Sequence, residues 1–206
     1  MLTSTRAIIV RHLREFYQHD TSIGVACVFL NHKDRAAQRS ANLLASIWMQ
    51  LSYMPDVHPS VSSLYRENTS KGTRPSLEEV ITVLRFELRR YSKVFIILDA
   101  LDECEDGIAS DILNELCRAG PNVNVLVTSR YPKGDQSLFE HSPTVTIRPL
   151  EMDILRYVET RIKSSNQLYR HIARKPSLRE EILDSVLKKA HGMCVSYSHI
   201  VQSNQF

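Results

Sequence analysis

The apolar residues of this chain fall into two kinds of pattern, short unbroken runs and longer stretches at helical spacing. The densest run is Val-Phe-Ile-Ile-Leu at residues 94–98, which predicts a strand buried on both faces. Residues 23–30, Ile-Gly-Val-Ala-Cys-Val-Phe-Leu, predict a second buried strand, and 123–128 and 145–147 predict two shorter ones. Helical spacing is carried by Ile8, Ile9, Leu13 and Phe16 over residues 1–18, and by Leu43, Leu44, Ile47, Trp48 and Leu51 over 36–53. A third helix is expected from Ser76, which with Glu79 makes the pattern of a capping box, toward Arg90. A fourth spans about 108–119 and stops at Gly120-Pro121.

Beyond the last strand, helices are expected over 151–163 and over 177–190, the second headed by Ser177 with Glu180 and closed near Gly192. Residues 54–75 hold Pro55, Pro59 and Pro75 and read as a connection with a short helix around 61–66. The loop up to Pro143 is polar, and the tail from Cys194 has no amphipathic pattern and is expected to fray. Strands alternating with helices make the fold α/β with a mostly parallel sheet. The divisions expected are an α/β core over 1–150, a helical extension over 151–192 and an irregular tail over 193–206.

Composition narrows the function little. At 206 residues, 43% hydrophobic and 24% charged, the chain has the make-up of an ordinary globular protein. Its formal charge of +3 is spread out, and Arg85, Arg89 and Arg90 read as a solvated helix face, so no nucleic-acid partner is expected. No apolar run approaches the ~20 residues that span a bilayer, so no membrane partner is expected either. Cys27, Cys104, Cys117 and Cys194 are widely spaced with no C-x-x-C pair, which fits reduced thiols in a soluble, cytoplasmic protein.

The chemistry lies at the end of the central run. Residues 94–98 lead straight into Asp99, Asp102 and Glu103, and the C-terminal ends of parallel strands are where open α/β sheets bind ligands. A carboxylate there could orient magnesium while a second polarises water; a buried strand followed by an acidic turn is the plainer reading. The next strand ends in Thr128-Ser129-Arg130 on the same sheet edge, where an arginine could meet a terminal phosphate or simply pair with a nearby acid. A hydrolase using the three carboxylates alone as a metal site is disfavoured because no histidine stands near them in sequence, His32 reading as a surface loop residue.

Residues 94–103, the Thr128-Ser129-Arg130 strand end and the helix reading Arg-Ser-Ala-Asn-Leu-Leu-Ala-Ser-Ile together resemble a NACHT domain. The closest likeness is to the nephrocystin-3-like N-terminal module of fungal signalling NTPases of the STAND class, over about residues 1–192. The resemblance implies a three-layer P-loop-type sheet and a nucleotide cofactor, Mg-ATP or Mg-GTP. It makes Asp99 the Walker B residue acting on magnesium through water, Asp102 and Glu103 the catalytic acidic pair, and Ser129 and Arg130 nucleotide-side residues, with Arg130 as the sensor arginine. It also implies partners carrying related NACHT, effector or repeat domains.

The sequence departs from that family at one decisive place. A P-loop needs Gly-x-x-x-x-Gly-Lys-Ser/Thr so that backbone N–H groups wrap the phosphates and the lysine reaches the outermost ones. The six glycines here, at 24, 72, 107, 120, 134 and 192, make no such turn, and no Gly-Lys dipeptide occurs. Residues like Met1 to Ser4 follow the Walker A lysine and threonine in the family, so the chain is expected to be truncated and to lack the first strand. That strand would lie between 123–128 and the last strand, so 123–128 is expected to offer a bare hydrophobic edge. The function expected is a NACHT-type fragment with weak or absent nucleotide binding and hydrolysis; the alternative is a non-enzymatic module that associates with full-length NACHT proteins.

Overall fold

A computed structural model describes residues 2–34, 38–52, 59–131, 136–139, 142–147, 150–193 and 196–202. The chain runs α1 (Leu2–Phe16), β1 (Ile23–Phe29), α2 (Ser40–Leu51), α3 (Pro59–Lys71), α4 (Leu77–Leu88), β2 (Lys93–Asp99), α5 (Asp106–Cys117), β3 (Val123–Ser129), β4 (Thr144–Ile147), α6 (Glu151–Ser164), α7 (Asn166–Arg174), α8 (Ser177–Met193) and β5 (Ser196–Gln202). By backbone contacts it divides into two units, residues 1–145 with 197–206, and residues 146–196.

The first unit is built on β2. β1 pairs with β2 and β2 with β3, both in parallel. A strand paired on both edges and covered on both faces must be apolar throughout, and Val94, Ile96, Ile97 and Leu98 are all buried. Ile96 and Leu98 enter the main core with Leu43, Leu44 and Ile47 of α2, Leu84 and Leu88 of α4, and Ile112 and Leu113 of α5. Tyr17, just past α1, stacks on Phe95 of β2 with ring centroids 5.6 Å apart, and α1 packs on β1. The result is a three-layer α/β arrangement around a parallel run of strands, as the family resemblance implies. Trp48 packs against this core from α2.

Helix termini follow local chemistry. Ser76 accepts the N–H of Glu79 and the Glu79 carboxylate takes the N–H of Ser76 at 2.7 Å, a complete capping box. The end of α4 is tied to the next turn by Asn122, whose amide donates to the carbonyls of Leu88 and Tyr91. Gly24 is required by close approach: a Cβ there would lie 2.8 Å from Leu51 Cδ2, against a buried α2 side chain.

Several expectations change. The connection over 54–75 contains a full helix, α3, in place of a short one, because i,i+4 pairs such as Lys71 with Glu67 extend it to a Gly72 stop at φ +62°; residues 53–58 lie outside the described set. The loop before Pro143 includes a 3-10 turn whose Phe139 is buried in the core. A helix missing from the sequence reading, α7, starts where Ser165 accepts the N–H of Leu168. Ser177 forms no box with Glu180; its hydroxyl meets Glu181 at 3.1 Å, and α8 runs through Gly192 to Met193.

The largest correction concerns the tail. Residues 196–202 form β5, which pairs antiparallel with β3 from Asn124↔Gln202 to Ser129↔Tyr197. The sheet order is β1-β2-β3-β5-β4, so β5 fills the position between β3 and the last strand that the sequence leaves empty. The edge of β3 is therefore not bare. Backbone groups on a core strand require a partner, and the chain supplies one from its far end.

The unit over 146–196 consists of α6, α7 and α8, with only Val158 and Ile162 buried among its described residues. Glu159 of α6 pairs with Arg179 of α8 across it.

The capping box gives a direct stability test. Ser76→Ala removes the side-chain acceptor for the Glu79 N–H and should cost about 1 kcal/mol in urea unfolding, with no change in the slope of the transition.

Candidate functional site

The C-terminal ends of β1, β2 and β3 converge because the three strands are parallel and in step; Phe29 pairs with Asp99, and Leu98 with Val127. Asp99 is the last residue of β2 and is fully buried. Thr128 of β3 donates its hydroxyl to Asp99 Oδ1 at 2.5 Å and accepts the N–H of Ala100 at 3.1 Å. One hydroxyl thus anchors both the carboxylate and the peptide that follows it.

After Asp99 the backbone turns sharply. Ala100 adopts the left-handed conformation, φ 57° and ψ 50°, and opens a 3-10 turn over Leu101–Glu103. A non-glycine residue in this region costs about 1–2 kcal/mol. The strain turns Asp102 back toward β3 and leaves Glu103 at the rim. Asp102 is buried, and its partners come from the end of β3: the Arg130 N–H at 3.0 Å, the Arg130 Nε at 2.5 Å and the Ser129 hydroxyl at 3.4 Å. Tyr131 directs its hydroxyl to the Asp102 carbonyl at 3.4 Å.

Glu103 is held from the other side. The backbone N–H of His32 and its ring Nδ1 both lie 3.1 Å from Glu103 Oε2, and the Arg130 Nη2 is 3.9 Å from Oε1. Burial pushes the Glu103 carboxyl up, but the His32 contacts and the Arg130 charge outweigh it and hold the group below the usual carboxylate range. Arg130 is itself held more firmly protonated by its hydrogen bond and charge pairing with Asp102. A cleft of about 500 Å³ opens over these groups, lined by His32, Asp102, Glu103, Arg130 and Tyr131 among others.

All five residues marked from sequence, Asp99, Asp102, Glu103, Ser129 and Arg130, therefore lie on one sheet edge. The sequence pattern places His32 in a surface loop and carries no sign of its contact with Glu103. The contact follows from topology that the structure supplies: β1 and β2 are parallel neighbours, and the Leu30 N–H reaches the Asp99 carbonyl at 3.0 Å, so residues just past both strands meet. The role of Thr128 was legible only as part of a hydroxyl pair. Even with His32 present, the described residues contain no group of three or more His, Cys, Asp or Glu side chains arranged to hold a metal ion. Burial raises the thiols of Cys27 and Cys117, Cys104 is buried beside the acidic turn, and Cys194 lies outside the described residues.

Two measurements check this arrangement. Arg130→Ala should cost about 2 kcal/mol in urea unfolding at pH 7, below the 3–5 of a wholly buried pair because the arginine side chain is 54% exposed while that of Asp102 is 1% exposed. For Glu103 the folded carboxyl is lowered, so its stabilisation is present above the unfolded value of about 4.3 and is lost as pH falls through the folded one. Wild type should exceed Glu103→Gln by at most about 0.5 kcal/mol at pH 6, with the difference shrinking as pH falls below the unfolded carboxyl's value of about 4.3.

No curated protein and no solved structure matches the chain. A family model described as Nephrocystin 3, N-terminal matches residues 3–130, more than half the chain, from within the first turn of α1 to the arginine that closes on Asp102. The chain belongs to the nephrocystin 3 N-terminal family.

Proposed function

We propose that this chain is part of a NACHT-type signalling NTPase of the STAND class, carrying the Walker B side of a nucleotide site and weak or inactive in binding and hydrolysing ATP or GTP. The observation that carries this reading is the state of the carboxylates. Asp99 is fully buried against Thr128, Asp102 is enclosed by Arg130, and Glu103 is held by His32. Each acid already has a partner from the protein, which suits a latch between strand ends better than a set of ligands waiting for metal.

Mg-ATP and Mg-GTP do not fit the residues present. Within the 206 residues there is no Gly-x-x-x-x-Gly-Lys turn to supply the row of N–H donors and the lysine that a triphosphate requires. Loss of such preorganised donors costs about 10²–10³ in rate for each donor removed. In this reading Asp99 keeps the Walker B position, Asp102 and Glu103 the catalytic positions, and Ser129 and Arg130 the nucleotide side, without phosphates to act on. The working partners are then proteins, among them related NACHT chains and the effector or repeat domains of such signalling assemblies.

Titration of the 206-residue chain with a fluorescent ATP analogue in magnesium decides between the readings. The expected result is no saturable binding below about 1 mM. Micromolar binding would overturn the proposal that the phosphate grip is lacking and return Asp99, Asp102 and Glu103 to an active site.

A further inference from the structure

β3 is a core strand whose Val123, Val125, Val127 and Ser129 are buried, yet one of its edges is completed from far away in the chain. Its partner, β5, comes after the whole helical unit of residues 146–196 and returns to the first unit to pair with β3 over six residues. The strand is an unusual choice for its position. It lies between β3 and β4, but its sequence, Ser-Tyr-Ser-His-Ile-Val-Gln, has no alternation of apolar and polar residues and only one apolar pair, Ile200-Val201. On its far side, all four residues of β4 are exposed. β5 brings the sheet a ladder of backbone hydrogen bonds along β3.

A backbone ladder does not distinguish one copy of the chain from another. The same β5, arriving from a neighbouring molecule, would find the same register on β3 and make the same bonds. Exchange of an identical element between protomers creates closed dimers at little cost in contacts. We infer that the β3 edge is a strand-exchange site, filled by the chain's own β5 and equally able to take β5 of a second copy.

A second copy is the occupant because its β5 is already matched to this edge residue by residue. The segment that must travel with it forms a compact unit of its own. The balance between the closed and exchanged forms is set by concentration against the effective concentration of the tethered strand, on the order of millimolar for short flexible tethers and lower for long ones. Exchange would preserve the acidic site, because Thr128 and Ser129 would be paired in either form. This inference stands independently of any nucleotide reading.

Leu126 and Ile200 are paired residues, which makes the test direct. A chain carrying Leu126→Cys and a chain carrying Ile200→Cys are unfolded together in urea, refolded as a mixture and oxidised, and the disulfides are mapped by peptide mass spectrometry to set native thiols aside. A disulfide between the two introduced thiols on different chains is expected, its share rising about tenfold from roughly 10 to 100 µM. The double variant should close within one chain at low concentration. Closure within the double variant but no product between chains at any concentration overturns exchange. Absence of both overturns the pairing itself. Unmodified chains refolded at about 100 µM should also contain a dimer by light scattering that persists on dilution and is lost on passage through urea; only monomer would count against the proposal as firmly.

Discussion

Burial of β2 is the constraint on which the rest of the first unit depends. Its residues Val94, Ile96, Ile97 and Leu98 are enclosed by neighbouring strands and by helices on both faces, and that enclosure extends one residue further, to Asp99. A carboxylate in such a place is costly unless it is hydrogen-bonded. Everything at the sheet's carboxyl edge can be read as a response to that cost. Thr128 supplies a hydroxyl from the adjacent strand, and the left-handed turn at Ala100 carries the next acids out of the sheet.

The same logic orders the three acids by depth. Asp99 is met by a neutral hydroxyl, Asp102 by a guanidinium and a backbone N–H, and Glu103, at the rim, by His32 and a more distant arginine. Arg130 touches two of the three, so the end of β3 is a structural clasp on the turn after β2. The clasp needs β3 to be straight and fully paired, and β5 provides the second half of that pairing. A segment from the far end of the chain is thereby linked, through one strand, to the acidic turn.

The helical unit shows the opposite balance. Few of its residues are buried, and side chains such as Met152, Tyr157 and Tyr169 remain open to solvent. Its helices rest on caps and on pairs such as Arg179 with Glu159 more than on a deep core. Local sequence therefore carries a larger share of its structure than it does in the α/β unit, where packing dominates.

The sequence by itself determined the parts that rest on near neighbours along the chain. The apolar run at β2, the helical faces of α2 and α4, the capping box at Ser76 and the stop after α5 all follow from periodicity and local hydrogen bonding. The grouping of Asp99, Asp102, Glu103, Ser129 and Arg130 was legible too, because parallel strands bring their C-terminal ends to one edge. The tertiary structure alone decided what those residues touch. His32 meets Glu103 only because β1 and β2 are neighbours, and Thr128 bridges Asp99 and Ala100 only because β3 runs in step with β2. β5 is the clearest case. Its seven residues carry no strand pattern of their own, and they become a strand because the buried edge of β3 has backbone groups that must be paired.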